Sequence, residues 1–535
     1  MAETKEIKEN LEVEKKIDIT DIEAVKSEEP VDHLDYVAVK LTTFQFVSVF
    51  ISFALAVFLV SLDGTIVATA IPAIGAEFEA FDRVSWIGIS FLLTSTALSP
   101  AYGELCNIFG RKPVFMFAII IFEVGSLMCG IATSMNFLIA GRAVAGIGGG
   151  GIFSCVLIMI ADITSLKESG KYQGIIGAVF GLSSVIGPLL GGIFTDKLTW
   201  RWCFYINLPI GGIAAVVVFL YLTFPPPEGS IKDKLHKIDY IGTFFVVAST
   251  ILILIPLELG GSTWDWNEPK TIICFVLGGI LAIVFVYVEF KVAREAIIPP
   301  RLFNDRSVSL ALLGAFLVGC SFIPLFFYVP TFFQLVDGES ATLSGLESIP
   351  MIFGLVITAT VSGTLVGKHG NYRIWFFGGS VLLAVGLFLV SRLGPDTPKI
   401  LQIIFLFIGG LGVGSIIQVR VYAVQAGVER EDIPAGTSAS NFFLNLGGTF
   451  GLAIYGTVFN NALDNSLGPK IAAIAKGSPT TIRTFPNAAE IIQAVSDSLS
   501  KSYYFPIATA ASILIIAAII RDRKLAEGTP IHMAA

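Results

Sequence analysis

Apolar runs of about 19–29 residues recur along the chain, each long enough to cross a bilayer as a helix. They fall at 44–72, 84–104, 113–133, 137–161, 173–195, 203–223, 240–258, 271–290, 308–333, 344–366, 374–393, 400–425, 436–460 and 503–521, which predicts fourteen transmembrane helices. An even number puts both termini on one side. The even-to-odd connections carry Arg111 and Lys112, Lys167 and Lys171, Lys232, Lys234 and Lys237, Lys291, Arg294, Arg301 and Arg306, then Lys368 and Arg373. The opposite short loops are poorer in basic residues, which assigns both termini to the cytoplasm. The connection 461–502 is then long and external, and its AEIIQAVSDSLS stretch predicts a short amphipathic helix.

Composition agrees with this pattern. Of 535 residues, 54% are hydrophobic and 14% charged, and mean hydropathy is +0.78. A soluble chain of this length could not bury so much apolar side chain, so the class is an all-α polytopic membrane protein. Residues 1–43 begin with an alternating Lys/Glu tract that lacks the apolar core and cleavage site of a signal peptide. They are expected to form a disordered cytoplasmic tail, with 522–535 a second one. No basic patch interleaved with aromatics points to nucleic acid. Cys106, Cys129, Cys155, Cys203, Cys274 and Cys320 form no C-x-x-C pair and read as small core residues, not as disulfides or a metal site.

The chain also repeats itself. GELCNIFGRKPV (103–114) follows the second span and GTLVGKHGNYRI (363–374) the tenth; GIGGGGIF (146–153) lies in the fourth and GLGVGSII (410–417) in the twelfth. Both matches link one span to the span eight later, at almost the same separation. They predict two six-helix halves, 44–223 and 308–521, with the seventh and eighth spans inserted between them within 224–307. Parallel repeats of this kind are a transporter architecture, with the binding site between the halves near mid-bilayer.

Ionisable residues inside spans are costly and mark candidate sites. Asp63 sits in the outer half of the first span, Glu123 at the middle of the third, and Arg142 one to two turns inside the fourth. At about 1.5 Å per residue the three fall within roughly one turn of the same depth, so a carboxylate can pair with the guanidinium. Such a pair can be a static lock. Alternatively, a desolvated carboxyl favours its neutral form and can carry a proton. All four histidines lie outside the spans, so protons crossing the protein would have to use carboxylates. Arg420, near the cytoplasmic end of the twelfth span, is expected to snorkel. Asn207, Gln334, Gln418, Asn441 and Asn445 can line a cavity or hydrogen-bond between helices.

In the fifth span, SSVIGPLLGG (183–192) holds a proline and two glycines four apart. Pro188 leaves the Ser184 carbonyl without its partner and bends the helix. Gly187, Gly191 and Gly192, with Gly177 and Gly181 earlier, make a smooth strip suited to a surface on which the halves rock.

Taken together, these motifs resemble the major facilitator superfamily, in its fourteen-helix drug:proton antiporter branch, and look most like fungal toxin or multidrug efflux pumps. The resemblance covers about residues 44–521. It rests on LDGTIVATAIP (62–72), on GELCNIFGRKP (103–113) with Gly103, Asn107, Gly110, Arg111 and Lys112, and on LIAGRAVAGIGGG (138–150). SVIGPLLGG (184–192) and WRWCFYINLPIG (200–211) complete it. It implies that Asp63 belongs to the motif of the first span, that Arg142 takes part in proton transfer, and that Gly187-Pro188-x-x-Gly191-Gly192 marks antiporters. Asn107 stands where the loop signature has aspartate; it keeps hydrogen bonding but drops a charge of the inner gate, which Glu104 can supply.

The resemblance implies a proton-coupled exporter of toxic or amphipathic small organic molecules, working by alternating access as a monomer in the plasma membrane. It would use the proton gradient and no cofactor or metal. No G-x-x-x-x-G-K-[ST] loop or H-E-x-x-H pair points to ATP-driven pumping or to an enzyme. Vacuolar amino-acid/proton antiport, nutrient import and sensing by the same fold are the competing readings.

Overall fold

The computed structural model describes residues 41–80, 83–164, 166–224, 230–260, 264–293, 296–369, 371–468, 471–472, 483 and 485–521. The expected tails lie outside these apart from residues 41–43. The long helices are α1 (Thr43–Glu77), α2 (Ser85–Phe109), α3 (Arg111–Gly130), α4 (Met135–Ile163), α5 (Leu166–Lys197), α6 (Asn207–Tyr221) and α7 (Tyr240–Leu259). They continue as α8 (Pro269–Lys291), α9 (Arg306–Phe332), α10 (Ile349–His369), α11 (Tyr372–Val390), α12 (Lys399–Ile417), α13 (Ile433–Leu467) and α14 (Tyr504–Ile519).

Among the described residues, thirteen helical stretches are long and apolar enough to cross a membrane. The helix outside that set is α2, which has the length at 25 residues but carries Ser90, Thr94, Ser95, Thr96 and Ser99. Three of these hydroxyls find partners: Thr94 Oγ1 donates to the Ala143 carbonyl of α4 at 2.9 Å, Ser95 Oγ to the Leu92 carbonyl at 3.1 Å, and the Ser99 and Ser154 hydroxyls meet at 3.1 Å, whereas Ser90 and Thr96 are buried without one. Such bonds remove the cost of placing hydroxyls between helices.

Two helix bundles emerge from the packing. In the first, α1 lies on α5, and α4 on α2 and α3; in the second, α9 lies on α13, and α12 on α10 and α11. The bundles meet along α5–α10 and α2–α13. The inserted pair α7–α8 stays outside this seam, with Leu254 and Leu257 of α7 packed on Ile89 and Leu93 of α2. The 461–502 connection is shorter than expected, because α13 runs on to Leu467 and its amphipathic stretch is a helix, Ala488–Ser502. Ile491, Val495 and Leu499 of that helix are buried against the second bundle.

The internal repeat is visible at the level of single bonds. Thr94 Oγ1 donates to Ser90 O (3.0 Å) and across to Ala143 O (2.9 Å). Thr358 Oγ1 donates to Gly354 O and across to Leu411 O, both at 2.9 Å. Gly146 abuts Thr94 and Gly414 abuts Thr358. The sequence alignment, which set Gly146 against Gly410, is therefore one helical turn out of register. Glycine-rich stretches are poor rulers, because neighbouring glycines are interchangeable by pattern. In the corrected register Gly410 stands where Arg142 stands, so the guanidinium belongs to one half only.

Candidate functional site

Asp63 and Arg142 are both buried, at 0% and 1% exposure. Arg142 Nη1 donates to Asp63 Oδ2, joining α4 to α1. Its Nε donates to the Ile87 carbonyl of α2 at 3.0 Å, and the guanidinium lies over the Phe91 ring at 4.4 Å. The second Asp63 oxygen accepts from Asn207 Nδ2 of α6 at 3.1 Å, and the same amide donates to Ser126 Oγ of α3 at 3.0 Å. One ion pair thus ties α1, α2, α3, α4 and α6 together. A buried pair is tolerable only when its remaining lone pairs and protons find partners, and here Ile87, Asn207 and Phe91 provide them.

Glu123 is not in this network. Its carboxyl lies against Gly211 of α6, where a Cβ would come within 1.6 Å of Oε1. Neither of its oxygens has a hydrogen-bond partner. It sits about one turn along α3 from Ser126, as Gly211 does along α6 from Asn207. The expected common depth holds roughly for the three charges, but only Asp63 meets the arginine. Asn207 and Ser126 were not assigned to this cluster by sequence; the signal was a polar residue inside the apolar YINLPIG stretch.

The loop signature forms the end of the seam at which α1 begins, the side the sequence assigned to the cytoplasm. Gly110 adopts φ 91°, a left-handed turn that glycine accepts without strain. It separates α2 from α3 and lets Arg111 pair with Asp162 at 2.9 Å. Lys112 donates to the Phe219 carbonyl at 2.8 Å. Asn107 Nδ2 crosses the seam to the Glu431 carbonyl at 3.1 Å, and Gly103 packs on Pro434 and Ala435. Glu104 turns elsewhere, accepting from the Asp239 amide at 2.9 Å. Near them Arg301 and Asp432 make a two-fold ion pair, both bonds 2.6 Å. Glu104, Asn107, Arg301 and Asp432 line a cavity of about 210 Å³.

The glycines of α5 divide between two partners: Gly177, against Gln418, and Gly181, against Ile352 of α10, face the other half as expected, but the Gly187–Gly192 part of the strip does not. Gly187 and Gly191 face α1 of the same half, with a Cβ reaching 2.1 Å from Thr65 Oγ1 and 2.3 Å from Ile66 O. Gly192 faces open space. The surface toward the other half is made earlier in the helix, where Gly170 meets Gly363 and Gly174 meets Ala359 of α10. The helix is continuous through Pro188. Gln173 also crosses, donating to Gln425 Oε1 at 3.2 Å while its carbonyl accepts from Gln418 Nε2 at 2.8 Å.

Arg420 does not snorkel. It is buried at 2% exposure, with Nη1 donating to the Ser440 carbonyl (3.0 Å) and hydroxyl and Nη2 to Asn441 Oδ1 (3.2 Å). Gln334, by contrast, bonds Ser344 at 3.0 Å.

Comparison with known proteins follows the same lines. The profile of the Major Facilitator Superfamily matches residues 53–452. The MFS-type efflux pump MFS1 of Arthroderma benhamiae is 37% identical over 90% of this chain and 92% of its own length. The rubrofusarin-specific efflux pump aurT of Gibberella zeae is 36% identical over 86% and 87%. Among solved structures, the human organic anion transporter MFSD10 superposes with a TM-score of 0.57 over 87% of this chain and 99% of that one. At 14% identity it shares the fold.

Proposed function

This chain belongs to the major facilitator superfamily, and from that premise we propose that it is a proton-coupled efflux pump for amphipathic small organic molecules. As a multi-pass membrane transporter with efflux pumps among its relatives, it needs an energy source. We assign that role to protons carried by Asp63. Fourteen spans, with α2 included, a monomeric state and the plasma membrane complete the reading. Two halves at 44–223 and 308–521 rock about the α5–α10 and α2–α13 seam, and 224–307 supplies the inserted pair.

The observation that carries the proposal is the Asp63–Arg142 contact. Protonating Asp63 removes the charge that holds Arg142 and frees the guanidinium to move relative to α1, while its bond to the Ile87 carbonyl stays with α2. A proton is thereby converted into a change of helix contacts. Glu123 has no cation to release and lies between α3 and α6, so it is assigned a secondary role. In the working cycle the inner end opens, the cavity takes cargo, and the outer end releases it as an external proton reaches Asp63.

Proteoliposomes loaded with a pH-sensitive dye test this. Addition of amphiphilic cargo should drive proton movement in wild type, Asp63→Asn should abolish it, and Glu123→Gln should leave most of it. Undiminished flux in Asp63→Asn would remove Asp63 from the mechanism.

A further inference from the structure

Arg420 is a buried cation with no carboxylate within ion-pair distance among the described residues. Its three contacts are neutral oxygens of Ser440 and Asn441, and its Nε has no partner. An uncompensated charge in a low-dielectric interior is expensive, unlike the Asp63–Arg142 pair, which compensates itself. The donors around it point the same way. Asn441 Nδ2 is buried and unpartnered although its Oδ1 is engaged by Arg420, and Ser438 Oγ, about one turn earlier on α13, is also unpartnered. A site made of surplus N–H donors and one positive charge is complementary to an anion.

Its place in the fold fits cargo binding. Arg420 lies in the Val419–Gly427 helix that extends α12 toward the inner end. It is roughly 10 Å from the end of that helix at 1.5 Å per residue. Gly103 of α2 presses directly on Ser438 and Ala435, and Asn107 is bonded to Glu431 just below. Separating α2 from α13 at the inner end would therefore uncover Ser438 and Asn441 first and Arg420 behind them. An exporter meets its cargo from that side.

We propose that Arg420, with Asn441 and Ser438, binds an acidic group of the exported molecule, so that the cargo class is organic anions such as aromatic carboxylates. The proposal rests on the efflux reading above for the direction of transport, but not for binding. Guanidinium geometry suits the purpose, because the free Nε–H and the second Nη2 hydrogen can hold a carboxylate.

The test compares anthraquinone-2-carboxylate with its neutral methyl ester on purified full-length protein. Binding is read from thermal shifts in detergent and transport from uptake into proteoliposomes. Wild type should bind the carboxylate about tenfold or more tightly than the ester, the scale of a charge-assisted contact. Arg420→Gln should bring the ratio near one, by weakening carboxylate binding about tenfold and ester binding much less. If Arg420→Gln does not fold, Arg420→Lys keeps the charge but loses the planar fork and should lower the ratio about threefold. No preference in wild type, or a ratio that Arg420→Gln (or, in its place, Arg420→Lys) leaves unchanged, overturns the proposal. An Arg420-dependent preference without proton-driven export of either compound supports the site and overturns only the efflux reading.

Discussion

The Glu123 carboxyl fills the space that a side chain at Gly211 would take across the α3–α6 contact: a Cβ on Gly211 would fall 1.6 Å from the carboxyl oxygen Oε1. The glycine is what allows a carboxyl group to be packed between two helices at that depth. Gly211→Ala has to push the Glu123 carboxyl aside, and because that group is the unpartnered end of a flexible side chain the loss should stay at about 1 kcal/mol, the low end of overpacking costs. Adding Glu123→Ala should recover most of that loss by emptying the contested volume. Melting temperatures of the single and double variants check this; a double variant no more stable than Gly211→Ala would mean the strain lies elsewhere.

A side chain at Gly103 should act as a wedge. A Cβ there would approach the Pro434 carbonyl to 2.7 Å and Ser438 Oγ to 2.9 Å, so Gly103→Val has to push the inner ends of α2 and α13 apart. The expected result is reduced export together with labelling of a Ser438→Cys reporter by a water-soluble maleimide, a site fully buried in the closed seam. Labelling equal to that in the Gly103 background would show that the seam absorbs the side chain without opening.

Much of this arrangement was legible in the sequence because bilayer physics leaves few alternatives. Long apolar runs must be helices whose backbone bonds close internally, so helix positions followed from hydropathy to within a few residues, except where α13 and α5 extend past the apolar run and where the twelfth span breaks at Gln418 into α12 and the Val419–Gly427 helix. Depth alone brought Asp63, Glu123 and Arg142 to one level but left open which carboxylate meets the guanidinium; the packing of α1 on α4 selects Asp63. What sequence could not show is which face of a helix meets which neighbour. Gly187 and Gly191 were read as a surface between halves but lie on α1, and Arg420 was read as solvated but is enclosed by Ser440 and Asn441. Depth is a one-dimensional quantity that residue counting supplies; azimuth depends on the packing of the whole bundle.

At the outer end, Glu77 accepts from Arg201 Nη2 at 2.8 Å and from Trp200 Nε1 at 2.6 Å. The Arg201 bond holds the Glu77 carboxyl below its ordinary pKa, against a smaller opposing effect of burial, with Trp200 and the Arg201 charge adding to the lowering. A carboxylate depressed in the folded state stabilises above its unfolded value and loses that contribution as pH falls through the folded value. Glu77→Gln should therefore lower the melting temperature at pH 7. The difference from wild type should begin to shrink near pH of about 4 and disappear below it. A difference that stays constant across that interval would assign the effect to packing, not charge.

Removing one partner of the Asp63–Arg142 pair should cost far more than removing both. Asp63→Asn leaves a guanidinium that cannot shed its charge, with no carboxylate and only the neutral Ile87 carbonyl and the Phe91 and Phe204 rings around it, and a loss of about 3–5 kcal/mol is expected. Arg142→Gln should cost less, because Asp63 keeps its hydrogen bond from Asn207 and the new amide can donate to the other oxygen. In Asp63→Asn/Arg142→Gln no charge is buried, and the two amides can bond each other, so its stability should exceed that of Asp63→Asn. Its proton coupling should nevertheless be absent. Melting temperatures and dye-reported proton flux on the three variants separate the two roles: restored stability without restored flux is the outcome that distinguishes a proton carrier from a structural lock. A double variant that regains both would reduce the pair to packing.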